Sequence, residues 1–394
     1  MIKIICSAQA YTYNAYHIVK AFYPSVEITN HVEEKASNYV EITFCDGRVI
    51  AVEKEEIKAG TDAEKKAQVD KKLYEKLSEK SGKTLAWGIL TGVRPTKLAM
   101  KKLEEGMEAE EFVSWFQKTY LVSEEKSRLA WEIAKREKQL LDQLDYEDGY
   151  SLYVGIPFCP TVCTYCSFSS GALEDWKDFV DDYVEALCKE LEFIGKVSKQ
   201  KKLNSIYIGG GTPTSLNARQ LERILSCIDT HFSREYLLEY TVEAGRPDSI
   251  TEEKLQVIKA HKVTRISINP QTMQQKTLDI IGRKHTVEDI CKTYEMARNL
   301  GLDNINMDLI AGLPGETSVD MKDTLEKIGR LKPDSLTVHS LAIKRAAKMG
   351  QEVKEGHSDA SVCNISPEIG AMISEAEKAA DDMGLKPYYL YRQK

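Results

Sequence analysis

"SLYVGIPFCPTVCTYCSF", residues 151–168, runs from an apolar, strand-like stretch into a loop carrying Cys159, Cys163 and Cys166. Outward from it the same rhythm recurs. "SIYIGGG" (205–211), "LLEYTVEA" (237–244), "VTRISINP" (263–270), "NINMDLI" (304–310) and "SLTVHSLA" (335–342) all read as strands. Helical patterns separate them near 175–197, 217–230, 251–261, 272–282, 286–300 and 318–330. The strands read as continuous apolar runs more than alternating ones, as expected of a parallel sheet covered by helices. The predicted fold is α/β: a partial (βα)6 barrel or a doubly wound sheet, preceded by a smaller α+β region.

Such sheets place their chemistry at the C-terminal ends of the strands. The chemically suggestive residues fall there. Cys159, Cys163 and Cys166 follow the first strand, and "GGGTPT" (209–214) follows the second. Glu243 ends the third, Asn269 and Gln271 follow the fourth, Asp308 ends the fifth, and His339 lies near the end of the sixth.

Upstream, "YVEITFCDGRVIAVE" (39–53) has the pattern of a hairpin turning at Asp46-Gly47. Residues 1–60 read as a β-rich segment of short strands and turns. Residues 61–148 read as helical and charged, with "WGILTGVRPTKL" (87–98) making a structured turn before a helix at Thr96. "DYEDGYS" (145–151) is a polar break, which puts the start of the barrel domain at 149 and runs it to 394.

The nine cysteines are odd in number and six of them are scattered, so they form no disulfide framework. The scattered six read as small buried hydrophobes. The C-x₃-C-x₂-C group is different. It suits thiolates converging on one metal centre, with three readings: zinc, plain core cysteines, or three corners of an iron–sulfur cube. A structural zinc site wants four ligands, and no fourth cysteine lies near. Three thiolates on a [4Fe–4S] cluster leave one iron open for a chelating ligand. The glycines of "GGGTPT" let backbone approach such a ligand, and neither the P-loop nor the dinucleotide pattern fits them. Glu243 and Asp308 offer acceptors for an amino group and sugar hydroxyls.

The net charge of −7 and a pI near 5.7 argue against nucleic acid as the main partner. No apolar run reaches the roughly 18 residues of a spanning helix, and the N-terminus is too polar for a signal peptide. A cytoplasmic location is the resulting expectation.

Cys159-x₃-Cys163-x₂-Cys166, with Tyr165 before the last cysteine, resembles the signature of the radical S-adenosylmethionine (SAM) enzymes. "YIGGGTPTSL", "RISINPQTM", "IIGRKHT" and "INMDLIAGLPGET" are similar to the oxygen-independent coproporphyrinogen III oxidase (coproporphyrinogen dehydrogenase) group. "WGILTGVRPTKL" resembles its HemZ-like branch. The resemblance implies that Cys159, Cys163 and Cys166 hold three irons of a [4Fe–4S] cluster and that SAM chelates the fourth. Gly210, Gly211 and Thr212 would line its methionine part. Glu243, Gln271 and Arg283 would contact SAM, Asp308 its ribose, and Ala311 and Gly312 would lie near the adenine. Tyr153 and Tyr165 would pack around both groups as catalytic residues.

In the family reaction SAM is cleaved reductively and a propionate loses a hydrogen atom, CO₂ and an electron to become a vinyl group. The implied partners are a tetrapyrrole substrate and an electron donor such as a flavodoxin or ferredoxin. Arg246 and Arg265 are candidate anchors for the substrate carboxylates, with surface ion pairs as the plainer reading.

The family's oxidases carry a fourth cysteine where this chain has Phe168 and a histidine where it has Gly155. The alternative is therefore a haem-binding and delivery protein on the same scaffold, with His339 as a candidate ligand. Radical SAM modification of tRNA is the third reading, disfavoured by the acidic pI. "LKPYYLYRQK" (385–394) reads as a strand start, and the chain as a fragment lacking a C-terminal extension.

Overall fold

The computed structural model describes residues 1–24, 26–355 and 368–392. Its chain divides into two compact units, Gln143–Lys386 and Met1–Asp142 joined by the segment from Pro387.

The first unit opens on β1 (Ile2–Cys6), α1 (Gln9–Phe22), β2 (Ile28–Val32), β3 (Asn38–Thr43) and β4 (Val49–Glu53), in a sheet of order β2-β1-β3-β4. The hairpin β3–β4 is antiparallel, with Gly47 at φ +80° in its turn. Residues 1–60 are not all strands and turns, however. α1 crosses over between the parallel β1 and β2, and buries Thr12, Ala15, Ile18, Val19 and Phe22. That 3–4 spacing is helical; the tyrosines between imitate strand alternation.

α2 (Asp62–Ser81) packs its Val69, Leu73 and Leu77 against this sheet. α3 (Thr96–Glu104), α4 (Ala109–Tyr120) and α5 (Glu124–Leu141) make a second core around Phe112, Phe116 and Trp131. The turn before Thr96 receives the segment from Pro387: Arg392 N donates to Val93 O at 2.8 Å and its guanidinium to Leu90 O. Residues 385–392 are therefore not a strand, and those from Pro387 belong with the first unit rather than the barrel.

The second unit contains β5 (Gly149–Ile156), the short pair β6 (Phe158–Cys159) and β7 (Gly171–Ala172), α6 (Leu173–Trp176), α7 (Val180–Val197), β8 (Lys202–Gly210), α8 (Ala218–His231), β9 (Glu239–Gly245), α9 (Glu252–Ala260), β10 (Arg265–Ile268), α10 (Gln275–Ile280), α11 (Val287–Asn299), β11 (Ile305–Ala311), α12 (Ser318–Leu331), β12 (Ser335–Ser340), α13 (Lys348–Glu355) and α14 (Ile369–Asp382). Six strands form one parallel sheet, ordered β12-β11-β10-β9-β8-β5. This is the partial (βα)6 barrel. The unit starts before residue 149, because Asp145 pairs with Lys202 at 2.5 Å and Asp148 with Lys201 at 2.9 Å. Polar caps start the crossover helices: Asn217, Thr251, Thr286 and Thr317 each accept from a first-turn amide, worth about 1 kcal/mol apiece.

The sheet corrects the apolar-run reading. Only one face is apolar. Val154, Ile156, Ile206, Ile208, Tyr240, Val242, Ile266, Ile268, Met307 and Leu309 pack into the helix-lined core, each worth about 1.5–3 kcal/mol if fully buried. The other face is a polar ladder. Ser205 donates to Ser151 at 2.8 Å, Tyr207 to Glu243, Arg265 to Ser335 at 3.2 Å, and Asn306 accepts from Ser335 and Thr337 at 2.9 and 3.1 Å. Strand alternation produces this division.

Candidate active site

The cysteine loop leaves β5 through β6. Thr212 N donates to Phe158 O and Gly211 N to Ile156 O, both at 2.7 Å, which seats "GGGTPT" directly beneath it. Cys159 and Cys163 are buried, Cys166 is half-buried, and all three are free thiols. Thr212 Oγ1 lies 3.5 Å from Cys159 Sγ. Burial pushes the Cys166 thiol up, and the two neighbouring cysteines add to it. Cationic iron favours the thiolate form of such a thiol. Among the described residues no three His, Cys, Asp or Glu side chains converge on a single ion, whereas a cube spreads its three thiolates over three irons.

The close fit at Gly211 has a steric cause. A Cβ there would stand 2.6 Å from Phe158 O and 3.0 Å from Cys159 Sγ. A methyl group would collide with the backbone that carries the first cysteine. Gly155 differs: a Cβ there meets only the Tyr153 ring, at 3.6 Å. The space is open to a larger side chain, so glycine is not sterically required.

Beyond the cysteines, unpartnered polar atoms gather at the end of β10. Asn269 Oδ1, Gln271 Oε1 and Arg283 Nε are buried without hydrogen-bond partners. Buried polar atoms are normally paired, and leaving one unmade costs about 1–3 kcal/mol. Gln271 also sits at φ +67°, a left-handed conformation unusual for glutamine. Two backbone bonds hold it there, Gln271 N to Asp308 O and Ile310 N to Gln271 O, both 2.9 Å. Arg283 donates to Asn269 O and reaches Tyr165 Oη at 3.4 Å. Strain and unmet donors and acceptors in one place are what a polar, zwitterionic ligand would satisfy.

Glu243 and Asp308 lie inside their strands rather than at the last residue, both on the polar face. Glu243 accepts from Tyr207, and burial raises its pKa, with Asp308 contributing. Asp308 accepts from Asn306 Nδ2 at 2.7 Å. Tyr153 is exposed and stacks on Tyr207, rings 5.9 Å apart and 11° from parallel. Tyr165 packs against the barrel core, and burial pushes its phenol well above its ordinary value. Gly210 ends β8 and Thr212 is buried. Ala311 ends β11 and Gly312 follows it beneath α14: Ala311 is fully buried, and Gly312 N lies 3.2 Å from Met372 Sδ. They present backbone, not side chains. His339 is exposed in β12.

Several sequence expectations change. Of the scattered cysteines only Cys6 is buried; Cys45 is exposed, Cys188, Cys227 and Cys291 are half-buried, and Cys363 lies outside the described residues. Arg265 keeps the ion pair expected of it, with the half-exposed Glu239, whereas Arg246 is not at the surface. Arg246 is 3% exposed and reaches the cysteine loop, while Arg265 belongs to the polar ladder, 3.7 Å from Glu239. Tyr207 was not singled out in the sequence, although it alternates onto the same face as Tyr153 and shows there.

Residues 153–328 match the model of the radical SAM superfamily. The chain is 42% identical over 322 residues to the oxygen-independent coproporphyrinogen-III oxidase-like protein HemZ of Bacillus subtilis, covering 81% of this chain and 63% of that protein. It is 37% identical over 197 residues to the heme chaperone HemW of the same organism, covering 49% of this chain and 51% of that one. It thus spans less than two thirds of either relative. Among solved structures, coproporphyrinogen III oxidase (HemN) from Escherichia coli superimposes with a TM-score of 0.53 at 26% identity, covering 63% of this chain and 56% of that one. A half-barrel of six parallel strands, a C-x₃-C-x₂-C loop at the C-terminal end of its first strand, and the family match over residues 153–328 identify a radical SAM domain in this chain.

Proposed function

We propose that the chain is a radical SAM enzyme of tetrapyrrole synthesis that converts propionate side chains of coproporphyrinogen III to vinyl groups by oxidative decarboxylation. The superfamily's cofactors are a [4Fe–4S] cluster and SAM. The observation that carries the reading is the polar end of β10, where Asn269, Gln271 and Arg283 keep buried donor and acceptor atoms free and Arg283 reaches Tyr165 within the loop of three free cysteines. When bound, the cluster and SAM supply one-electron chemistry able to take a hydrogen atom from an unactivated carbon.

In this reading Cys159, Cys163 and Cys166 hold the cluster, and Gly210, Gly211 and Thr212 bring backbone against the methionine part of SAM. Glu243 accepts from the amino group, and Arg283 and Gln271 face its carboxylate and ribose. Asp308 holds ribose hydroxyls, and the backbone of Ala311 and Gly312 borders the adenine. Tyr153 and Tyr165 pack around the reacting groups and keep water away. An electron carrier such as a flavodoxin or ferredoxin supplies the reducing electron.

An anaerobic assay of the iron-reconstituted protein with SAM, a reductant and coproporphyrinogen III tests this. Mono- and divinyl products are expected. Haem delivery is the second reading, favoured by exposed His339 and by exposed Phe168 at the position of the oxidases' fourth cysteine. Stoichiometric haem binding that is lost in His339→Ala, with no vinyl product, would decide for delivery.

A further inference from the structure

Arg246 leaves the end of β9 and is 3% exposed. Every arm of its guanidinium is used. Nε and Nη2 bind the two carboxylate oxygens of Asp248 at 3.0 and 2.6 Å. Nη1 turns the other way and donates to Thr161 O at 2.6 Å and to Thr161 Oγ1 at 2.8 Å. It stands 3.9 Å from Cys163 Sγ. Thr161 lies within the three-residue spacer between Cys159 and Cys163, so the contact acts on the spacing of two thiols. From the opposite side the loop after α10 holds the same segment: Thr161 Oγ1 donates to Gly282 O at 3.3 Å, and Ile281 O accepts from Thr164 N at 3.2 Å.

The arrangement is demanding. A buried cation is tolerated only when paired, and Asp248 supplies the pair. Asp248 is itself fixed on the turn Pro247–Ser249, which Ser249 Oγ closes by donating to Arg246 O at 2.8 Å. A planar fork can serve a carboxylate with one edge and a carbonyl with the other; an ammonium on a flexible stem cannot hold both in register.

We propose that Arg246 is a positioning residue that straps the spacer of the cysteine motif to β9, setting the separation of Cys159 and Cys163 before the cluster arrives. The role rests on these cysteines being cluster ligands. The strap itself belongs to the polypeptide and is measurable without iron.

The experiment compares full-length protein with Arg246→Gln, Arg246→Lys and Asp248→Asn. Amide hydrogen exchange is followed in the iron-free chains, and the electron paramagnetic resonance spectrum is recorded after anaerobic reconstitution and reduction. Exchange of the amides of residues 161–166 is expected to rise about tenfold or more in all three variants, while the amides of β8 stay protected. The spectrum of the reduced cluster is expected to shift or broaden in Arg246→Gln and Arg246→Lys alike, because the charge without the fork does not restore the spacing.

Wild-type loop exchange in Arg246→Gln, or a fully wild-type Arg246→Lys, would overturn the proposal. Should Arg246→Gln fail to fold, Asp248→Asn is decisive, and unchanged loop exchange there would overturn it equally. Failure of the cluster assignment would look different: the unaltered chain would take up no iron, whatever the loop exchange.

Discussion

Tyr207 donates its hydroxyl to the carboxylate of Glu243, across neighbouring strands of the polar face. Burial raises the pKa of Glu243, and the bond from Tyr207 works against that rise by favouring the charged form. Under the proposed role, in which Glu243 accepts from the SAM ammonium, its carboxylate must be ionised. SAM affinity should therefore be full above the raised pKa and decline as pH falls through it. Tyr207→Phe removes the donor, raises the Glu243 pKa further, and should move the acid limb to higher pH. Glu243→Gln should flatten that limb and weaken binding about 10- to 100-fold. Equilibrium dialysis of SAM against pH reads both; an unmoved limb in Tyr207→Phe would refute the coupling.

Cys166→Ala should abolish the brown colour of anaerobically purified protein and its reductive cleavage of SAM. Two thiolates leave the cube without its third protein ligand. Visible absorbance and iron per chain are the measurements, and a cluster of normal absorbance in the variant would refute the ligand assignment.

Gly211→Ala should act without touching a ligand. Its new methyl group would press on Phe158 O and Cys159 Sγ, so the backbone at β6 must give way, at a cost of about 1–3 kcal/mol. The expectation is a cooperatively folded protein with a lower unfolding midpoint and less than half the normal iron. Denaturant titration and iron analysis measure the two effects, and normal iron content would show that the contact relaxes cheaply.

Asp70→Asn probes the first unit. Asp70 is 6% exposed, accepts from Asn14 at 2.6 Å, and has its pKa raised by burial. The folded chain therefore holds this proton at pH values where the unfolded chain has released it. Stability falls as pH rises from the ordinary carboxylate value of about 4 through the raised value, and the penalty persists at neutral pH. Asp70→Asn should raise the urea midpoint at pH 7, with the gain shrinking towards pH 4. An equal gain at both pH values would mean that charge is not the cause.

The sheet was readable in the sequence because strands end in markers, a cysteine loop after Ile156 or three glycines after Ile208, and several helices begin with a cap such as Asn217 or Thr317. The polar face was harder to see. Its members are single residues between apolar ones, and a run such as "NINMDLI" reads as apolar until the side of Asn306 and Asp308 is known. Helix α1 was hidden by tyrosines that mimic alternation. Arg246 could not have been placed at all from its neighbours in sequence. Its partner Thr161 lies far away in the chain, and only the parallel order β5-β8-β9 brings the two together.

The chain's connectivity carries one more consequence. Arg392 grips the carbonyls of Leu90 and Val93, and Arg136 grips that of Pro387. The first unit is thus assembled from two stretches with the entire barrel inserted between them. During synthesis these bonds cannot form until the ribosome has passed the whole barrel sequence. The turn at "GVRP" must wait, its carbonyls without these partners, while the cysteine loop is already made and able to fold. A nascent chain stalled before Pro387 would therefore carry the cysteine loop but not the bonds that Arg392 and Pro387 make to the first unit.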